Sequence, residues 1–375
     1  MKTHKYHCNP AYIILLSILF VSCQETTPDP KSIRAAKLQT ILDHTLAKYD
    51  GKGISATIIF DEQDHWSATS GISFGSIALS TDMVLCTGSV TKSYMAALCL
   101  KLADDSWFSL DDSLKNWLPD YPNIDNSITI KQLLYNTSGV FNISDNTELW
   151  EAVFSEPSRL WTPDEILSGY LDEPYGDPGT GWYYSNTNYL LLGMIIEEAT
   201  GSQVSDLLRD LFFDPLRLNQ TYFAIEDELP SNFAHGWFNL SGNGAEDVSL
   251  ISQNGIYSAL WSSASIFSTS ENLARWCADL FEGKVLNEES LAQMLDPCCT
   301  LPGTTDVGCA MGLFLLSSNN STGVELIGYN GRTFGYLTSM FFLPGNGMSI
   351  SVMINEDNTQ LLDEITTTLI LEVLE

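Results

Sequence analysis

The spacing of apolar residues changes twice along the 375-residue chain. Two β-rich runs within residues 53–73, joined by the polar turn Asp61–Asp64, predict a hairpin. From about Ser80 to Pro297 the spacing is mainly helical, with long loops rich in Asp, Asn, Pro and Gly. Strand signals then return in four runs: Gly312–Leu316, Gly323–Ile327, Thr333–Leu343 and Met348–Ile354.

A helix flanks the strands at each end of the chain. Apolar residues at helical spacing predict these helices at about Ile33–Tyr49 and Thr359–Leu374. Strands at both ends around a helical middle indicate an α/β (α+β) fold with one antiparallel sheet built from both chain ends. We therefore expect a sheet subdomain at about residues 33–80 and 300–375, and a mainly helical insertion at about 81–299.

The N-terminus has the pattern of a secretory signal. A basic start is followed by the apolar run Ala11–Val21, which is too short for a comfortable membrane span. Ser22 directly before Cys23 resembles a bacterial lipobox. We expect residues 1–22 to be a lipoprotein signal peptide, Cys23 to be acylated, and residues 23–32 to form a tether. The protein would then be anchored to a membrane, facing the periplasm or the cell surface; ordinary cleaved secretion is the alternative.

Charge and metal-ligand content exclude several classes of partner. The formal net charge is −30, and the 17 basic residues form no polybasic run, so we expect no nucleic-acid partner. The chain has five histidines and no clustered ligands, so we expect no metal and no other cofactor. Six cysteines follow Cys23 and leave the disulfide pairing open, although Cys99 lies in an apolar helix and is expected in the core.

Ser73 is a first candidate nucleophile, because GISFG (Gly71–Gly75) fits the G-x-S-x-G pattern. That motif requires a strand before the serine and a helix directly after it. The residues that follow, SIALSTDMV, have no helical spacing. We therefore expect Ser73 to lie in a loop or at a strand end without a catalytic role.

A stronger candidate lies in TGSVTKSYMAALCL (Thr87–Leu100). Lys92 is the only charged residue in this segment, and the apolar surroundings predict a buried helix. Ser89 lies three residues earlier, on the same helix face. Burial lowers the pKa of an amine, which would let Lys92 accept the proton of Ser89. S-x-x-K thus indicates a nucleophile and its base; a snorkelling lysine beside an ordinary N-cap is the alternative.

A second site element precedes the apolar helix YLLLGMIIEEAT (Tyr189–Thr200). In YYSNTNY, Tyr184 and Asn186 are two residues apart and point the same way from an extended segment. Tyr184 could relay protons and Asn186 could hold a carbonyl group; a helix N-terminus with aromatic packing is the alternative. Another Y-x-N, at Tyr121–Asn123, lies in a proline-containing loop and is expected to be a turn.

This order of motifs resembles the serine β-lactamase and penicillin-binding-protein superfamily, on the branch of class C β-lactamases, D-alanyl-D-alanine carboxypeptidases and family VIII esterases. Three longer segments, at Ile128–Val140, Pro178–Gly201 and Gly255–Trp276, extend the resemblance over about residues 35–372. The resemblance implies a β-lactamase/transpeptidase-like fold with one hydrolase domain at residues 33–375. It also implies Ser89 as nucleophile, Lys92 as base and Tyr184 as proton relay.

The resemblance further implies a strand that reads K-T-G or H-x-G along the far wall of the site. Here the stretch is IGYNGRTFGY, so Tyr329-Asn330-Gly331 stands where Lys or His is expected. In the family that cation helps to bind a substrate carboxylate, and esterase members carry Trp there. Arg332 lies three positions after Tyr329, so strand alternation points it to the opposite face. The N–H groups of Arg332 and Ser89 would form the oxyanion hole.

Two positions near these motifs are expected to be structural. Asn136 stands where relatives often have histidine, and we interpret it as a packing residue. His235, in FAHGW, also lies in a family-like segment and is expected to be structural rather than catalytic.

The sequence therefore predicts an envelope-anchored serine hydrolase that forms an acyl-enzyme on Ser89 with a small ester or D-amino-acid peptide. D-Alanyl-D-alanine carboxypeptidase and β-lactamase activities are alternatives, and both act on substrates with the carboxylate that the missing cation would bind. A further alternative is an inactive protein that binds peptidoglycan fragments. The acyl group, the leaving group and the oligomeric state stay open.

Overall fold

The structure is a computed structural model that describes residues 1–2 and 29–375. The expected cleavage site and Cys23 lie outside the described residues. The helices of the described chain are α1 Pro30–Tyr49, α2 Thr91–Asp104, α3 Ile130–Leu134, α4 Thr147–Ser155, α5 Pro163–Gly169, α6 Asn186–Thr200, α7 Val204–Leu208, α8 Asn254–Leu260, α9 Ser270–Phe281, α10 Glu288–Leu295 and α11 Thr359–Leu374. None of the described helices is long and apolar enough to cross a membrane.

The strands of the described chain fall mainly near its two ends. They are β1 Gly53–Asp61, β2 Asp64–Phe74, β3 Ile77–Ala78, β4 Leu85–Cys86, β5 Thr221–Phe223, β6 Trp237–Phe238, β7 Glu246–Asp247, β8 Ile266–Ser268, β9 Cys299–Thr300, β10 Val307–Ala310, β11 Leu313–Leu316, β12 Leu326–Thr333, β13 Tyr336–Leu343 and β14 Met348–Ile354. The predicted hairpin is β1 and β2.

Nine strands form one antiparallel sheet in the order β3-β2-β1-β14-β13-β12-β11-β10-β9. The first and last long strands of the chain, β1 and β14, are neighbours, with Ile54 opposite Ile354. This pairing confirms the prediction that both chain ends build the sheet.

Each face of the sheet is covered by helices. The terminal helices α1 and α11 pack together on one face, where Leu42, Ile350 and Ile365 are buried in a common core. The other face packs against α9 and includes polar contacts, since Ser270 Oγ lies 2.9 Å from both Ser55 Oγ and Thr57 Oγ1. The sheet is thus the middle layer between the terminal helices and the helical body.

The helical body has its own core around α2 and α6. Every residue of α2 from Thr91 to Leu100 is buried, as the apolar sequence predicted, and Cys99 is among them. Trp276 of α9 stacks on Tyr94 of α2 with ring centroids 4.0 Å apart. A small sheet, β4-β8-β5, interrupts the predicted helical region and leads the chain into α2.

Two predicted boundaries were wrong. Helix α1 begins at Pro30 rather than near Ile33, because Asp29 caps it by accepting the N–H of Ser32 at 3.0 Å, so the end of the expected tether is helical. The strand expected at Gly323–Ile327 is instead β12, Leu326–Thr333. Gly323 has φ +74°, which suits a turn and not a strand.

The six described cysteines all carry free thiols. Cys299 of β9 lies opposite Cys309 of β10, and Cys298 Sγ lies 3.6 Å from Cys299 Sγ. Burial raises the pKa of the Cys99 thiol well above its usual value, which suits an inert core residue.

Candidate active site

Ser89 lies in a short 3₁₀ turn, Gly88–Val90, that runs directly into α2. The preceding residue Thr87 donates its N–H to Ile266 O at 2.8 Å, which ties the turn to β8. Gly88 has φ +54°, a conformation that glycine adopts without strain. The Ser89 side chain is half-buried at the floor of a cleft of about 800 Å³.

Lys92 is fully buried, and three oxygens surround its amine. Nζ lies 2.6 Å from Asn186 Oδ1, 2.8 Å from Ser263 O and 3.2 Å from Ser89 Oγ. Burial lowers the pKa of Lys92 well below its usual value. A neutral amine has two N–H groups, which Asn186 and Ser263 accept, and a lone pair that remains for the Ser89 proton.

Tyr184 lies on the other side of the Ser89 hydroxyl. The two hydroxyl oxygens are 2.6 Å apart, and Tyr184 OH is 3.4 Å from Asn186 Oδ1. Burial raises the pKa of Tyr184 to about 12, although its contacts with the hydroxyls of Ser89 and Tyr329 act in the opposite direction. Tyr184 is therefore protonated at neutral pH and available as an acid.

Asn186 is held by residues that the sequence did not single out. Its side-chain N–H donates to Ser144 Oγ at 2.7 Å, and its backbone N–H donates to Asn142 Oδ1 at 2.9 Å. Asn136, which we interpreted as a packing residue, accepts N–H groups from Ser185 and Asn188 at 3.2 and 2.9 Å. The loop from 136 to 144 therefore sets the position of Asn186.

The third predicted element, Tyr329 to Arg332, is part of β12 and lies beside the Ser89 turn. Strand β11 pairs with β12 only as far as Gly328, so the rest of β12 is free to face that turn. Tyr329 is 3% exposed and stacks on Phe314 with ring centroids 4.7 Å apart. An uncharged aromatic wall thus occupies the place where the motif would carry a cation.

Gly331 allows β12 to approach the Ser89 turn closely. A Cβ at this position would lie 1.9 Å from Thr87 O and 3.2 Å from Ser89 N. A Cβ on Gly88 would likewise lie 2.7 Å from the backbone N of Arg332. The backbone amides of Ser89 and Arg332 are consequently brought together, as an oxyanion hole requires.

The side chains of Asn330 and Arg332 lie at the exposed rim of the cleft. Arg332 Nη2 donates to Asp357 Oδ2 at 2.7 Å, and Asn330 Oδ1 accepts from Ser339 Oγ at 2.9 Å. Arg332 is exposed whereas Tyr329 is buried, as strand alternation predicted. The charge of Arg332 is therefore already paired with a carboxylate and directed away from the Ser89 side of β12.

Three residues from competing motifs lie outside this cluster. Ser73 is buried in β2, where its Oγ accepts the backbone N–H of His235 at 2.9 Å, and no helix follows it. His235 Nδ1 lies 2.9 Å from Asp247 Oδ2, between the rings of Phe74 and Phe233. Tyr121 is buried and donates its hydroxyl to Asp164 Oδ1 of α5 at 2.8 Å. The polar groups of these three residues are hydrogen-bonded to other protein groups, which indicates structural roles.

Fold and site together define a class: the chain is a serine hydrolase of the β-lactamase/DD-peptidase type. A family model described as Beta-lactamase matches residues 38–375, so the chain belongs to the beta-lactamase family.

Solved structures with the same fold include amidohydrolases. A D-stereospecific amidohydrolase from Streptomyces sp. is 27% identical, with a TM-score of 0.78 and coverage of 90% of this chain and 98% of that chain. The D-amino acid amidase from Ochrobactrum anthropi SV3 is 25% identical, with a TM-score of 0.77 and coverage of 91% of this chain and 97% of that chain.

Curated relatives include penicillin-binding proteins. Penicillin-binding protein 4 of Amycolatopsis lactamdurans is 30% identical over 204 residues, which are 52% of this chain and 50% of the relative. An unguisins hydrolase from Aspergillus campestris is 24% identical over 89% of this chain and 64% of the relative. The chain covers less than two thirds of the length of these relatives.

The lowered pKa of Lys92 has a measurable consequence for stability. Because burial lowers the pKa of Lys92 in the folded protein, unfolding at a pH between that lowered pKa and the usual value of 10.5 takes up a proton. Stability should therefore rise with pH, by up to about 1.4 kcal/mol per unit, until the pH reaches the pKa of the unfolded lysine. Urea unfolding at about pH 7 and about pH 9 should show this slope for the wild type relative to Lys92→Met. A difference that stays constant between the two pH values would mean that Lys92 is charged in the folded protein.

Proposed function

We propose that Ser89 is the nucleophile of a two-step acyl transfer. The observation that supports this assignment is the hydrogen-bonded cluster of Ser89, Lys92, Tyr184 and Asn186 on the floor of the cleft. The lone pair of neutral Lys92 takes the Ser89 proton as Oγ attacks a carbonyl carbon. The resulting oxyanion accepts the N–H groups of Ser89 and Arg332.

The proton then moves from Lys92 to the leaving group. Tyr184 lines the cleft with its hydroxyl 2.6 Å from Ser89 Oγ, and its high pKa keeps it protonated. Tyr184 donates its proton to the departing nitrogen or oxygen, and the Lys92 ammonium restores it through the hydrogen-bonded cluster. In the second step, water attacks the acyl-enzyme and returns a proton along the same path, so that Ser89 and neutral Lys92 are regenerated.

We further propose that the substrates are small amides or esters of D-amino acids whose leaving group carries no carboxylate. Among the described residues that line the cleft, Arg332 is the one cation, and Asp357 pairs with it. Asp145 and Asp363 also line the cleft and would repel an anionic leaving group. The similarity to the D-stereospecific amidohydrolase and the D-amino acid amidase supports this substrate class.

D-Alanyl-D-alanine peptides and β-lactams are the less favoured substrates. Both carry a carboxylate next to the scissile bond, where Tyr329 offers a hydroxyl and an aromatic face but no charge. Hydrolysis of D-alanyl-D-alanine peptides is the second candidate function, because the curated relatives include penicillin-binding proteins.

We also propose that the protein is an exported lipoprotein attached through Cys23. The support is the sequence before it, with a basic start, an apolar run and Ser22. Because α1 begins at Pro30, only six residues would separate the lipid from the folded domain. Even fully extended, they span about 20 Å, so the domain would lie close to the membrane surface.

Substitution of the nucleophile should abolish catalysis. Ser89→Ala should lose labelling by a fluorophosphonate and lower the rate on D-alanine p-nitroanilide by at least about 10⁴-fold, because the attacking oxygen is gone. Ser73→Ala is the matched control, since Ser73 lies in the competing serine motif and should stay labelled at Ser89. Full labelling and turnover in Ser89→Ala would contradict the assignment.

Restoring a cation at Tyr329 should change substrate choice. Tyr329→His should raise kcat/KM for a D-alanyl-D-alanine peptide about tenfold relative to a neutral D-amino-acid amide, because an imidazolium would bind the carboxylate. The gain should be greater at about pH 6 than at about pH 8, where imidazole is neutral. Tyr329→Phe controls for loss of the hydroxyl. Equal gains on both substrates, at both pH values, would show that charge at this position does not select the leaving group.

Acylation of Cys23 can be tested in a bacterial host. Growth with radiolabelled palmitate should label the wild-type protein and place it in the membrane fraction, whereas Cys23→Ala should be unlabelled and released. Labelling that survives in Cys23→Ala, or an unlabelled wild type in the soluble fraction, would refute the lipoprotein assignment.

A further inference from the structure

Four aromatic rings meet at one end of the cleft. Phe334, in the two-residue turn between β12 and β13, contacts Trp150, Phe154 and Phe238 with ring centroids 5.0, 5.2 and 5.2 Å apart. Trp150 and Phe154 lie one turn apart on α4, and Phe238 belongs to β6. The rings of Trp150, Phe238 and Phe334 line the cleft and are only half-buried. The cluster therefore joins the β12–β13 turn to the helical body and leaves apolar surface facing the cleft.

The turn that carries Phe334 is fixed in place by close backbone packing. Gly335 has φ +86°, and a Cβ there would lie 2.8 Å from the carbonyl carbon of Gly236. The next residue, Tyr336, donates its hydroxyl to Ala234 O at 2.6 Å. Phe334 is consequently held between two anchored segments, so the aromatic cluster is a preformed wall.

Trp150 also connects this wall to the nucleophile cluster. Its indole N–H donates to Ser144 O at 2.9 Å, and Ser144 Oγ accepts from Asn186 at 2.7 Å. Asn186 in turn bonds to Lys92. The position of the wall relative to Ser89 is thus set by a chain of hydrogen bonds through Ser144, Asn186 and Lys92.

The location of Tyr184 indicates which part of a substrate meets the wall. Tyr184 and Tyr329 line the same part of the cleft, so a leaving group that Tyr184 protonates lies toward the Tyr329 end of β12. The acyl group then extends the other way, past Gly331 and toward Phe334. These two residues are three positions apart, or about 10 Å at 3.3 Å per residue. That distance accommodates one amino-acid side chain.

We propose that Trp150, Phe238 and Phe334 form an acyl subsite that takes a single aromatic or large apolar side chain and closes the cleft beyond it. The inference rests on the proposed function, because it uses Ser89 and Tyr184 to orient the substrate. Aromatic rings from three elements supply the edges and faces that another ring packs against. Phe334 would then be a specificity-determining residue of the reaction.

The test compares two amides with different acyl side chains. The wild type should hydrolyse D-phenylalanine p-nitroanilide with a kcat/KM at least about tenfold above that for D-alanine p-nitroanilide. Phe334→Ala should lower this ratio about tenfold, mainly by raising KM for the aromatic substrate, and Phe334→Leu should lower it less. Phe60→Ala is the control, because Phe60 lies on β1, half-buried under the Arg34 side chain of α1 and outside the cleft. This substitution should leave the ratio unchanged.

Fluorophosphonate labelling of Ser89 measures the folded, competent fraction of every variant, so a folding defect is separated from a change in specificity. Turnover of both amides with equal kcat/KM, or a ratio that Phe334→Ala leaves unchanged, would overturn the subsite while leaving the proposed function intact. Absence of turnover together with unlabelled Ser89 would overturn the proposed function, and the subsite with it.

Discussion

The buried amine of Lys92 is the constraint around which the site is built. A buried lysine is tolerated when its N–H groups find acceptors, and here they are Asn186 Oδ1 and Ser263 O. These acceptors come from the start of α6 and from the turn before β8, so one side chain fixes three separate elements. The direction that remains is toward Ser89, which is why the proposed nucleophile has its base in place before any substrate binds.

The acceptors of Lys92 depend in turn on their own supports. Asn186 could rotate freely at the start of α6, but Asn142 and Ser144 hold its backbone and side chain. Ser263 follows Trp261, whose φ of +33° lies outside the regions that non-glycine residues favour. The strained turn and the 136–144 loop thus serve the same purpose, which is to direct two oxygens at one amine.

The sequence predicted those parts of the structure that depend on local spacing. The sheet, the two terminal helices and the burial of α2 follow from apolar periodicity, and Ser89 with Lys92 follows from one helical turn. Ser144 could not be identified in this way, because its partner Asn186 is 42 positions away and no local pattern links them. The start of β12 was misplaced because Val324, Leu326 and Ile327 give a strand pattern directly after Gly323, and the positive φ of Gly323, which belongs to a turn, leaves no mark in the sequence.

Burial alone accounts for the low pKa of Lys92, since no neighbouring cation contributes to it. The Lys92 amine lies 5.0 and 5.2 Å from the ring centroids of Tyr184 and Tyr189, which exclude water from it. The two rings would stabilise a cation placed over them, and this cation–π effect opposes deprotonation of Lys92. The exclusion of water by the same rings favours deprotonation. The second effect is larger because a charged amine loses its whole hydration shell here. In a protein of net charge −30, with Asp145 and Asp363 in the cleft, the basicity of the site therefore depends on packing that keeps water and carboxylates away from Lys92.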